Sequence, residues 1–404
     1  MNLERGSKPR RILVRGVNWL GDAVMTTPAL QRLREALPNA HITLLTHQKL
    51  ADIWQHHPSL NATITYSAGE SPWSVSRRLR AENFQAALVL PNSPRSALEV
   101  WLARVPQRIG YARPWRNCLL TQPVALRPGQ ARMTKRSVSE IQRLVRDLTS
   151  GSPPAAGCAA PGTAHQSHDY LHLAAALGAN PEPLPPRLEV TPAEMQQASD
   201  ALLADWRTKA QPAVPGKPLI LLGLNPGAEY GPAKRWPAES FAAVAREVSR
   251  KIPGCLWLAF GNAGDRPLCD DIARLAGDCV LNLAGKTSLR ELMALLKLCR
   301  VVLTNDSGPM HVAAALGTPV VVPFGSTSPE LTGPGLPGDP RHQLLKSPAP
   351  CSPCFLRTCP IDFRCMSGIS SERMVEAVFG AVRDGLNPKS EIRSGRDSMG
   401  CYIL

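Results

Sequence analysis

Short apolar runs alternate with helical spacings along the first half of the chain. Arg11–Arg15, His41–Thr46 and Ala86–Leu90 have the length and composition of buried strands, and another strand is predicted around Arg108–Tyr111. Between the first two runs, Asp22–Leu37 carries its apolar residues at helical spacing. A strand–helix–strand unit crosses over right-handedly, which makes its two strands parallel neighbours. The first half therefore predicts a doubly wound α/β domain.

The second half repeats this alternation. Strands are predicted at four apolar runs: Pro218–Leu224, Cys255–Phe260, Arg300–Thr304 and Pro319–Phe324. Helices are predicted between them at Ala238–Ser249 and Leu289–Leu298, and another helix should run from Gly308 to Leu316. Regular alternation of strands and helices is typical of a parallel sheet covered by helices on both faces. A second parallel sheet is therefore expected.

Segments rich in proline and glycine suggest where the domains begin and end. Small residues, Pro and Gly fill residues 150–165, which predicts a flexible surface insertion. We place the boundary in a similar segment, so that residues 1–210 form an N-terminal Rossmann-like domain and residues 211–386 a C-terminal one. The polar residues 387–404 are expected to form a disordered tail.

Composition narrows the class of protein. The 404 residues are 44% hydrophobic, and the chain lacks both a charged-then-apolar leader and an apolar run of the roughly 20 residues needed to span a membrane. A cytoplasmic protein is therefore expected. Of the net charge of +14, residues 1–150 contribute most, with 22 Lys and Arg against 9 Asp and Glu. Such an excess favours an anionic partner, although a solvated basic surface would look the same.

Nucleic acid is the partner that the sequence favours least. The chain contains no recognisable nucleic-acid-reading motif, and its aromatic content of 5% offers few side chains for stacking on bases. A phosphorylated glycolipid or the anionic inner face of a membrane is the better expectation.

The loops that follow the predicted strands carry the candidate chemistry, because ligands of open parallel sheets bind at the carboxyl ends of the strands. Asp22 lies at a helix start, where it acts either as a favourable helix cap or as a general base. The loop Asn225–Pro237 combines glycines with Lys234 and Arg235, as a phosphate-binding loop requires, although it lacks the Gly-Lys-Ser/Thr of a P-loop.

Two further loops of the second half carry candidate ligand-binding residues. Thr304–His311 leads from a strand into a helix. Either Ser307 or Asp306 caps that helix, whose free backbone N–H groups then point at an anion, or Asp306 accepts from sugar hydroxyls. His311 on this helix is more typical of a structural histidine. Asp265 follows the second predicted strand, a position where an acidic residue commonly meets a ribose.

A cluster of cysteines stands apart from these loops. Cys351, Cys354, Cys359 and Cys365 lie within one short segment, which suits tetrahedral zinc or an iron–sulfur cluster but equally a loop with reduced thiols. The sequence leaves both open and assigns the cluster no catalytic role. A redox or sensor module built on these cysteines is a third class of function to test.

Four segments, taken together and in order, resemble the bacterial ADP-heptosyltransferases of glycosyltransferase family 9. They are RILVRGVNWLGDAVMTTPALQRLREALP at 11–38, LPNSPRSAL at 90–98, NPGAEYGPAKRWP at 225–237 and VVLTNDSGPMHVAAALGTPVVVPFGSTSP at 301–329. The resemblance covers most of residues 10–380, and the second and third segments are similar to the type that adds the second inner-core heptose.

This resemblance implies the GT-B fold, in which two Rossmann-like domains face an interdomain cleft, and an inverting transfer without metal ion or cofactor. The implied donor is ADP-heptose and the implied acceptor a lipid A–Kdo–heptose at the inner face of the cytoplasmic membrane. A first-heptose transferase, or a related enzyme with another nucleotide-sugar, is the alternative.

The resemblance also implies roles for individual residues. Asp22 would be the catalytic base, and Lys234 would neutralise the diphosphate of the leaving ADP. The implied donor-binding residues are Asn225, Gly227, Asp265, Thr304, Asp306, Ser307, Gly308 and His311. The implied acceptor-binding residues are Asn18, Trp19, Asn92 and Ser93.

Overall fold

A computed structural model describes residues 9–128, 130, 133–149, 163–209 and 219–385. The chain forms two compact units, one from residues up to 131 together with 160–189, the other from 132–159 together with the chain from 190 onward. Most of the expected insertion at 150–165 and the whole tail at 387–404 lie outside the described residues.

The first unit contains six strands and five helices of four or more residues in its described part. They are β1 (Arg11–Arg15), α1 (Leu20–Met25), α2 (Thr27–Ala36), β2 (His41–His47), β3 (Ala62–Tyr66), α3 (Pro72–Ala81), β4 (Ala86–Val89), α4 (Pro94–Leu102), β5 (Gln107–Tyr111), β6 (Gln122–Val124) and α6 (Ser167–Ala175), with 3-10 turns at Gln48–Trp54 and Asn117–Leu119.

The second unit takes one helix from the middle of the chain and the remaining elements from its second half. They are α5 (Val138–Thr149), α7 (Pro192–Lys209), β7 (Ile220–Asn225), α8 (Ala238–Lys251), β8 (Cys255–Ala259), α9 (Arg266–Ala276), β9 (Val280–Asn282), α10 (Leu289–Leu298), β10 (Val302–Thr304), α11 (Gly308–Ala315), β11 (Val320–Phe324), α12 (Pro329–Thr332), β12 (Gln343–Lys346), α13 (Arg364–Ser367) and α14 (Ser371–Gly385), with 3-10 turns at Pro232–Lys234 and Ala263–Asp265.

Both sheets are fully parallel and have the same strand order. The strand order of the first sheet is β3-β2-β1-β4-β5-β6. The second sheet, read from the matching edge, has the order β9-β8-β7-β10-β11-β12. Both are the doubly wound order of a dinucleotide-binding domain. The order reverses between β1 and β4 in one sheet and between β7 and β10 in the other. The predicted α/β class with two Rossmann-like parallel sheets is confirmed, and the topology places a ligand crevice at each reversal.

The central strands are aliphatic because helices cover both faces of each sheet. Ile12, Leu13 and Val14 of β1 are fully buried, and β1 pairs with β2 on one side and β4 on the other. Alternation of apolar and polar residues is absent from such strands, since neither face meets water. This packing makes the loops at the carboxyl ends rigidly supported.

The predicted helix Asp22–Leu37 is two helices, α1 and α2, that meet at Thr26. Pro28 stands in the first turn of α2 and has no N–H for the carbonyl of Val24. The Thr27 hydroxyl donates to that carbonyl instead, at 2.8 Å. The break keeps α1 short, so that Asp22 lies in a separate turn directly after β1.

Helices α5 and α7 group with the second unit, whereas the boundary predicted near residue 211 leaves both with the first. Helix α7 packs on α10, and Glu194 of α7 receives two hydrogen bonds from Arg290 of α10, at 2.6 and 2.7 Å. These bonds hold the pKa of Glu194 at about 2. The proline-rich segment at 211–217, on which the prediction rested, lies outside the described residues.

The charge excess also divides differently once the units are known. Five of the basic residues counted in 1–150 lie at 132–149, which belongs to the second unit. The first unit then holds 18 Lys and Arg against 10 Asp and Glu, and the rest of the chain 28 against 22. Both units therefore carry part of the excess, a net +8 in the first and +6 in the rest of the chain.

Candidate active site

The predicted site residues of the second unit lie at its topological switch point. Asn225 is the last residue of β7, and Thr304 is the last residue of the adjacent β10. The Asn225 side-chain amide donates to the Ser307 hydroxyl at 3.2 Å, and the Thr304 and Ser307 hydroxyls lie 3.4 Å apart. Three of the predicted donor-binding residues are thus in one hydrogen-bonded group.

Lys234 and Asp306 form an ion pair beside this group. The Lys234 Nζ lies 2.6 Å from the Asp306 Oδ2, and their side chains are only 13% and 5% exposed. The Thr327 hydroxyl donates to the same carboxylate oxygen at 2.5 Å, and the Lys234 ammonium lies 4.9 Å from the centre of the Tyr230 ring. An ammonium has three donors, so the pair leaves Lys234 able to bind an incoming anion.

Helix α11 begins in this group without a side-chain cap. Ser307 occupies the cap position in extended conformation, yet its side chain makes no capping bond to the first turn of the helix. The N-terminal amides of a helix attract anions, both as hydrogen-bond donors and through the helix dipole. Gly308 at the first helical position adds no side chain that would block their approach. This arrangement suits a diphosphate.

Asn305 locks the two loops together, a role that the sequence interpretation missed. Its carbonyl oxygen accepts from the Trp236 backbone N–H at 3.0 Å, and its amide donates to the Pro226 carbonyl at 2.7 Å. The residue is completely buried. Thr327 was also missed, although both residues stand inside the quoted segments. No sequence signal marks either residue, because the partners of each lie in another loop.

Asp265 is largely buried in the second unit, and its contact with a ribose stays a prediction. It is 7% exposed, and its carboxylate accepts from the Asn262 backbone N–H at 3.2 Å in a capping box. A Cβ on Gly227 or Gly261 would come within 2.6 or 2.7 Å of this side chain. Gly227 is therefore needed for contact with Asp265, a reason different from the phosphate approach inferred from the sequence.

His311 and Arg235 complete the surroundings. His311 is 5% exposed on α11, in keeping with a structural histidine. Arg235 extends toward Asp265, with 3.5 Å between the guanidinium and the carboxylate.

In the first unit, Asp22 lies at the switch point after β1, partly buried in the first turn of α1. Trp19 occupies the cap position of that helix, so Asp22 is not its cap residue. The Gln166 side-chain amide lies 3.5 Å from the Asp22 Oδ1 and donates to the Tyr170 hydroxyl at 2.7 Å. Burial, and then the Asp22 carboxylate, raise the pKa of Tyr170 well above its usual value. Gln166 was not predicted from the sequence.

The predicted acceptor residues follow β1 and β4, the two strands that flank the same switch point. Asn18 and Asn92 are exposed, and Trp19 is 45% exposed, with the Lys49 ammonium 5.7 Å from the centre of its ring. Ser93 caps α4 by accepting from the Ser96 backbone N–H at 3.3 Å. Ser93 therefore has a structural role whatever it binds.

Arg116 has no place on an exposed basic surface, although its sequence neighbourhood suggests one. Its side chain is completely buried, and Nη1 donates to the Pro91 carbonyl at 2.8 Å. Within the described residues, Nε and Nη2 have no partner. Burial, and then Arg113, lower the pKa of Arg116 to about 10, so the guanidinium stays charged at neutral pH.

The four clustered cysteines are free thiols, and two of them lie where α5 docks. Cys351 and Cys354 pack with Ile141 of α5, and the Arg136 backbone N–H donates to the Cys354 carbonyl at 3.1 Å. Burial, and then the neighbouring thiols, raise the pKa of Cys365 to about 12. Across the described residues, no three His, Cys, Asp or Glu side chains converge as metal ligands.

None of the described helices is both long enough and apolar enough to cross a membrane.

Comparison with known proteins points to one family. The family model of glycosyltransferase family 9 (heptosyltransferase) matches residues 155–363. The chain is 30% identical to lipooligosaccharide heptosyltransferase 2 of Haemophilus influenzae and to lipopolysaccharide heptosyltransferase 2 of Salmonella typhimurium, each match covering 80% of this chain and 85% of the relative. The structure of Escherichia coli ADP-heptose LPS heptosyltransferase II matches with a TM-score of 0.69 and 25% identity, over 93% of this chain and 99% of that chain.

Two parallel sheets of this order, with polar loops at each switch point, define the GT-B class of glycosyltransferases. The chain belongs to glycosyltransferase family 9, the heptosyltransferases.

Proposed function

We propose that this enzyme transfers heptose from ADP-L-glycero-D-manno-heptose to the inner-core heptose of lipopolysaccharide, with inversion and without a metal ion. The observation that carries the proposal is the Lys234–Asp306 pair beside the uncapped start of α11. A cation and helix amides together can take the place of a divalent ion at a diphosphate. The names of the relatives, heptosyltransferase 2, support the donor and the inner-core acceptor.

The donor would be held entirely by the second unit. Lys234 and the first turn of α11 would bind the diphosphate, and Ser307 would support that turn through Asn225 and Thr304. Asp306 would accept from heptose hydroxyls, since a carboxylate is an acceptor only. Its place beside Lys234 would bring the sugar next to the phosphate that leaves.

Asp22 of the first unit would act as the general base. The acceptor hydroxyl gives its proton to the Asp22 carboxylate as its oxygen bonds to the anomeric carbon of heptose. The bond from that carbon to the diphosphate breaks, and its electron pair leaves with ADP. Lys234 would stabilise the charge that develops on ADP. The nearby Gln166 amide supports this role, because it can orient the carboxylate.

The assay that tests the proposal offers the purified enzyme ADP-heptose with two acceptors, one ending in Kdo and the other in Kdo–heptose. Mass spectrometry of the products should show addition of one heptose to the second acceptor and little to the first. Addition to the Kdo-terminated acceptor would favour the first-heptose transferase. Transfer only from a UDP- or GDP-sugar would overturn the donor assignment.

Peripheral binding to the anionic inner face of the cytoplasmic membrane is the second part of the proposal. Trp19, Trp73 and Trp115 follow β1, β3 and β5, so all three stand at the carboxyl edge of the first sheet. They are 45%, 71% and 90% exposed. Exposed tryptophans favour the headgroup region of a bilayer, and Lys49 and Arg77 add exposed positive charge.

A further inference from the structure

Asn18 is exposed at the carboxyl edge of the first sheet, but the oxygen of its side-chain amide is held by buried residues. Its Oδ1 accepts from the Tyr66 hydroxyl at 2.5 Å and lies 3.4 Å from the Arg15 Nη1. Both partners are buried, Tyr66 to 5% and Arg15 to 2% exposure. A side chain on the surface is thus held by groups in the core.

The proton arrangement follows from what Arg15 can do. A guanidinium only donates, and Nη1 donates to the Gly16 carbonyl at 2.7 Å and to the Tyr66 oxygen at 2.9 Å. Since Tyr66 accepts this proton, its own hydroxyl proton is available for Asn18. The Arg15 Nη1, which can only donate, also lies 3.4 Å from the Asn18 atom that faces Tyr66, so this atom is the carbonyl oxygen and the NH2 group faces the other way.

Buried charge holds this arrangement in place. The Arg15 Nε lies 2.9 Å from Glu99 Oε2, and Glu99 is completely buried. Arg95 donates to the other oxygen of Glu99 at 3.0 Å, and the Arg15 guanidinium lies 4.5 Å from the centre of the Tyr66 ring. This network favours one geometry, because rotating Arg15 away would leave the buried carboxylate of Glu99 without one of its two cations.

We propose that Tyr66 is a positioning residue that, with Arg15 and Glu99, aims the Asn18 NH2 group at an oxygen of the acceptor. The recognised chemistry is an oxygen lone pair, from a sugar hydroxyl or from a carboxylate of a sugar acid. Asn18 stands four residues before Asp22 in the same strand-to-helix segment. The Asn18 NH2 group would therefore bind the acceptor close to the base that activates the acceptor hydroxyl. The inference rests on the acceptor-binding role assigned to Asn18 in the proposed function.

The test measures binding of a delipidated Kdo–heptose oligosaccharide by calorimetry, together with kcat and KM for transfer. Tyr66→Phe keeps the ring over Arg15 and removes only the hydroxyl. It should raise the acceptor Kd and KM about three- to tenfold, the effect of one hydrogen bond, and leave ADP affinity unchanged. Asn18→Ala should do the same. Tyr111→Phe is the matched control, since its buried hydroxyl donates to the Asp169 carbonyl at 2.8 Å, away from Asn18.

The double variant separates positioning from general damage. If Tyr66 acts through Asn18, Tyr66→Phe should have no further effect on acceptor affinity in the Asn18→Ala background. Additive effects, or unchanged acceptor affinity in either single variant, would overturn the proposal. So would an acceptor affinity that falls equally in Tyr111→Phe.

The result is also distinguishable from failure of the proposed function. If the wild-type enzyme bound the oligosaccharide without turnover, that result would count against heptosyl transfer. The acceptor Kd of the Tyr66 and Asn18 variants would still test the positioning network. Absence of wild-type binding would overturn the acceptor role of Asn18 and this inference together. Should Tyr66→Phe unfold, Asn18→Ala alone decides, because its exposed side chain is not part of the core.

Discussion

The Lys234 ammonium contacts the Asp306 carboxylate at 2.6 Å, and both side chains are largely withdrawn from water. The pair joins the loop after β7 to the loop after β10 across the switch point of the second sheet. A cation in this position must serve two partners when a diphosphate binds. The two residues should therefore respond to substitution in opposite ways.

Lys234→Ala should weaken ADP binding by about 10- to 100-fold, because a charge-assisted contact contributes about 1.5–3 kcal/mol. Asp306→Asn should bind ADP at least as tightly as wild type, because Lys234 loses its competing carboxylate. The heptose of ADP-heptose should add less affinity over ADP in this variant than it does in wild type. Calorimetry with both ligands checks this. Lys286→Ala is a matched control, because this exposed lysine donates to the Asn282 carbonyl in the same unit. Equal ADP affinity in Lys234→Ala and wild type would contradict the diphosphate role.

Asp22→Asn should lower kcat by about 10²–10⁴-fold through loss of the general base. ADP affinity should stay at the wild-type value, because donor binding is assigned to the other unit. Single-turnover rates together with ADP titration test this. Glu35→Gln, a change at a side chain that is 54% exposed in the same unit, should leave the rate alone. Turnover of Asp22→Asn within a few-fold of wild type would reduce Asp22 to a favourable charge at a helix start.

Stability should fall between pH 7 and pH 5. Burial lowers the pKa of both His57 and His342 to about 4, below the value of about 6.5 in an unfolded chain. The unfolded state therefore binds protons first as the pH falls, and the stability that the neutral form contributes is lost from about pH 6.5 down to pH 4. The expected loss between pH 7 and pH 5 is about 2 kcal/mol per histidine.

Thermal unfolding of His57→Asn at both pH values measures this loss. The asparagine oxygen can replace the His57 Nδ1 that accepts from the Ser59 backbone N–H at 3.2 Å, yet it does not titrate. The variant should lose less stability than wild type on acidification. An identical loss in both proteins would show that His57 is not one of the titrating groups.

The central strands of both sheets were predictable from sequence, but the edge strands were not. The eight predicted strands all appear, whereas β3, β6, β9 and β12, the outermost strands of the two sheets, were not recognised. An edge strand has a neighbour on one side only and is partly exposed, so it lacks the continuous apolar run. In β6, Gln122 and Pro123 are both exposed. The signal that reveals a central strand is absent there.

Of the site, the sequence predicted which loops carry the functional residues, because motifs mark those loops. Sequence placed Asp22, Lys234 and Asp306 in loops after strands, but contacts between distant loops are invisible in it. Asn305, Thr327 and Gln166 were missed for this reason, since each acts through a partner far away in the chain. Burial was equally hidden for Arg116, whose neighbours Trp115 and Asn117 are exposed.

Membrane binding can be tested at Trp73 and Trp115, two of the three tryptophans of the carboxyl edge. Trp73→Ser and Trp115→Ser should each weaken sedimentation with vesicles rich in phosphatidylglycerol severalfold, and binding should fall as salt rises from low to physiological concentration. Trp101→Ser is the matched control, because Trp101 is 45% exposed near the carboxyl end of α4, which leads to the opposite edge of the same sheet. Equal loss in all three variants, or binding unaffected by salt, would contradict this surface.

Lys234 and the start of α11 should together replace a metal ion at the diphosphate. The most direct measurement is the initial rate of heptose transfer from ADP-heptose to the Kdo–heptose acceptor after extensive dialysis against EDTA, with EDTA kept in the assay. The rate should equal that of untreated enzyme, and added magnesium or manganese should not raise it. A rate that is lost in EDTA and restored by either metal, with the protein still folded, would contradict the account.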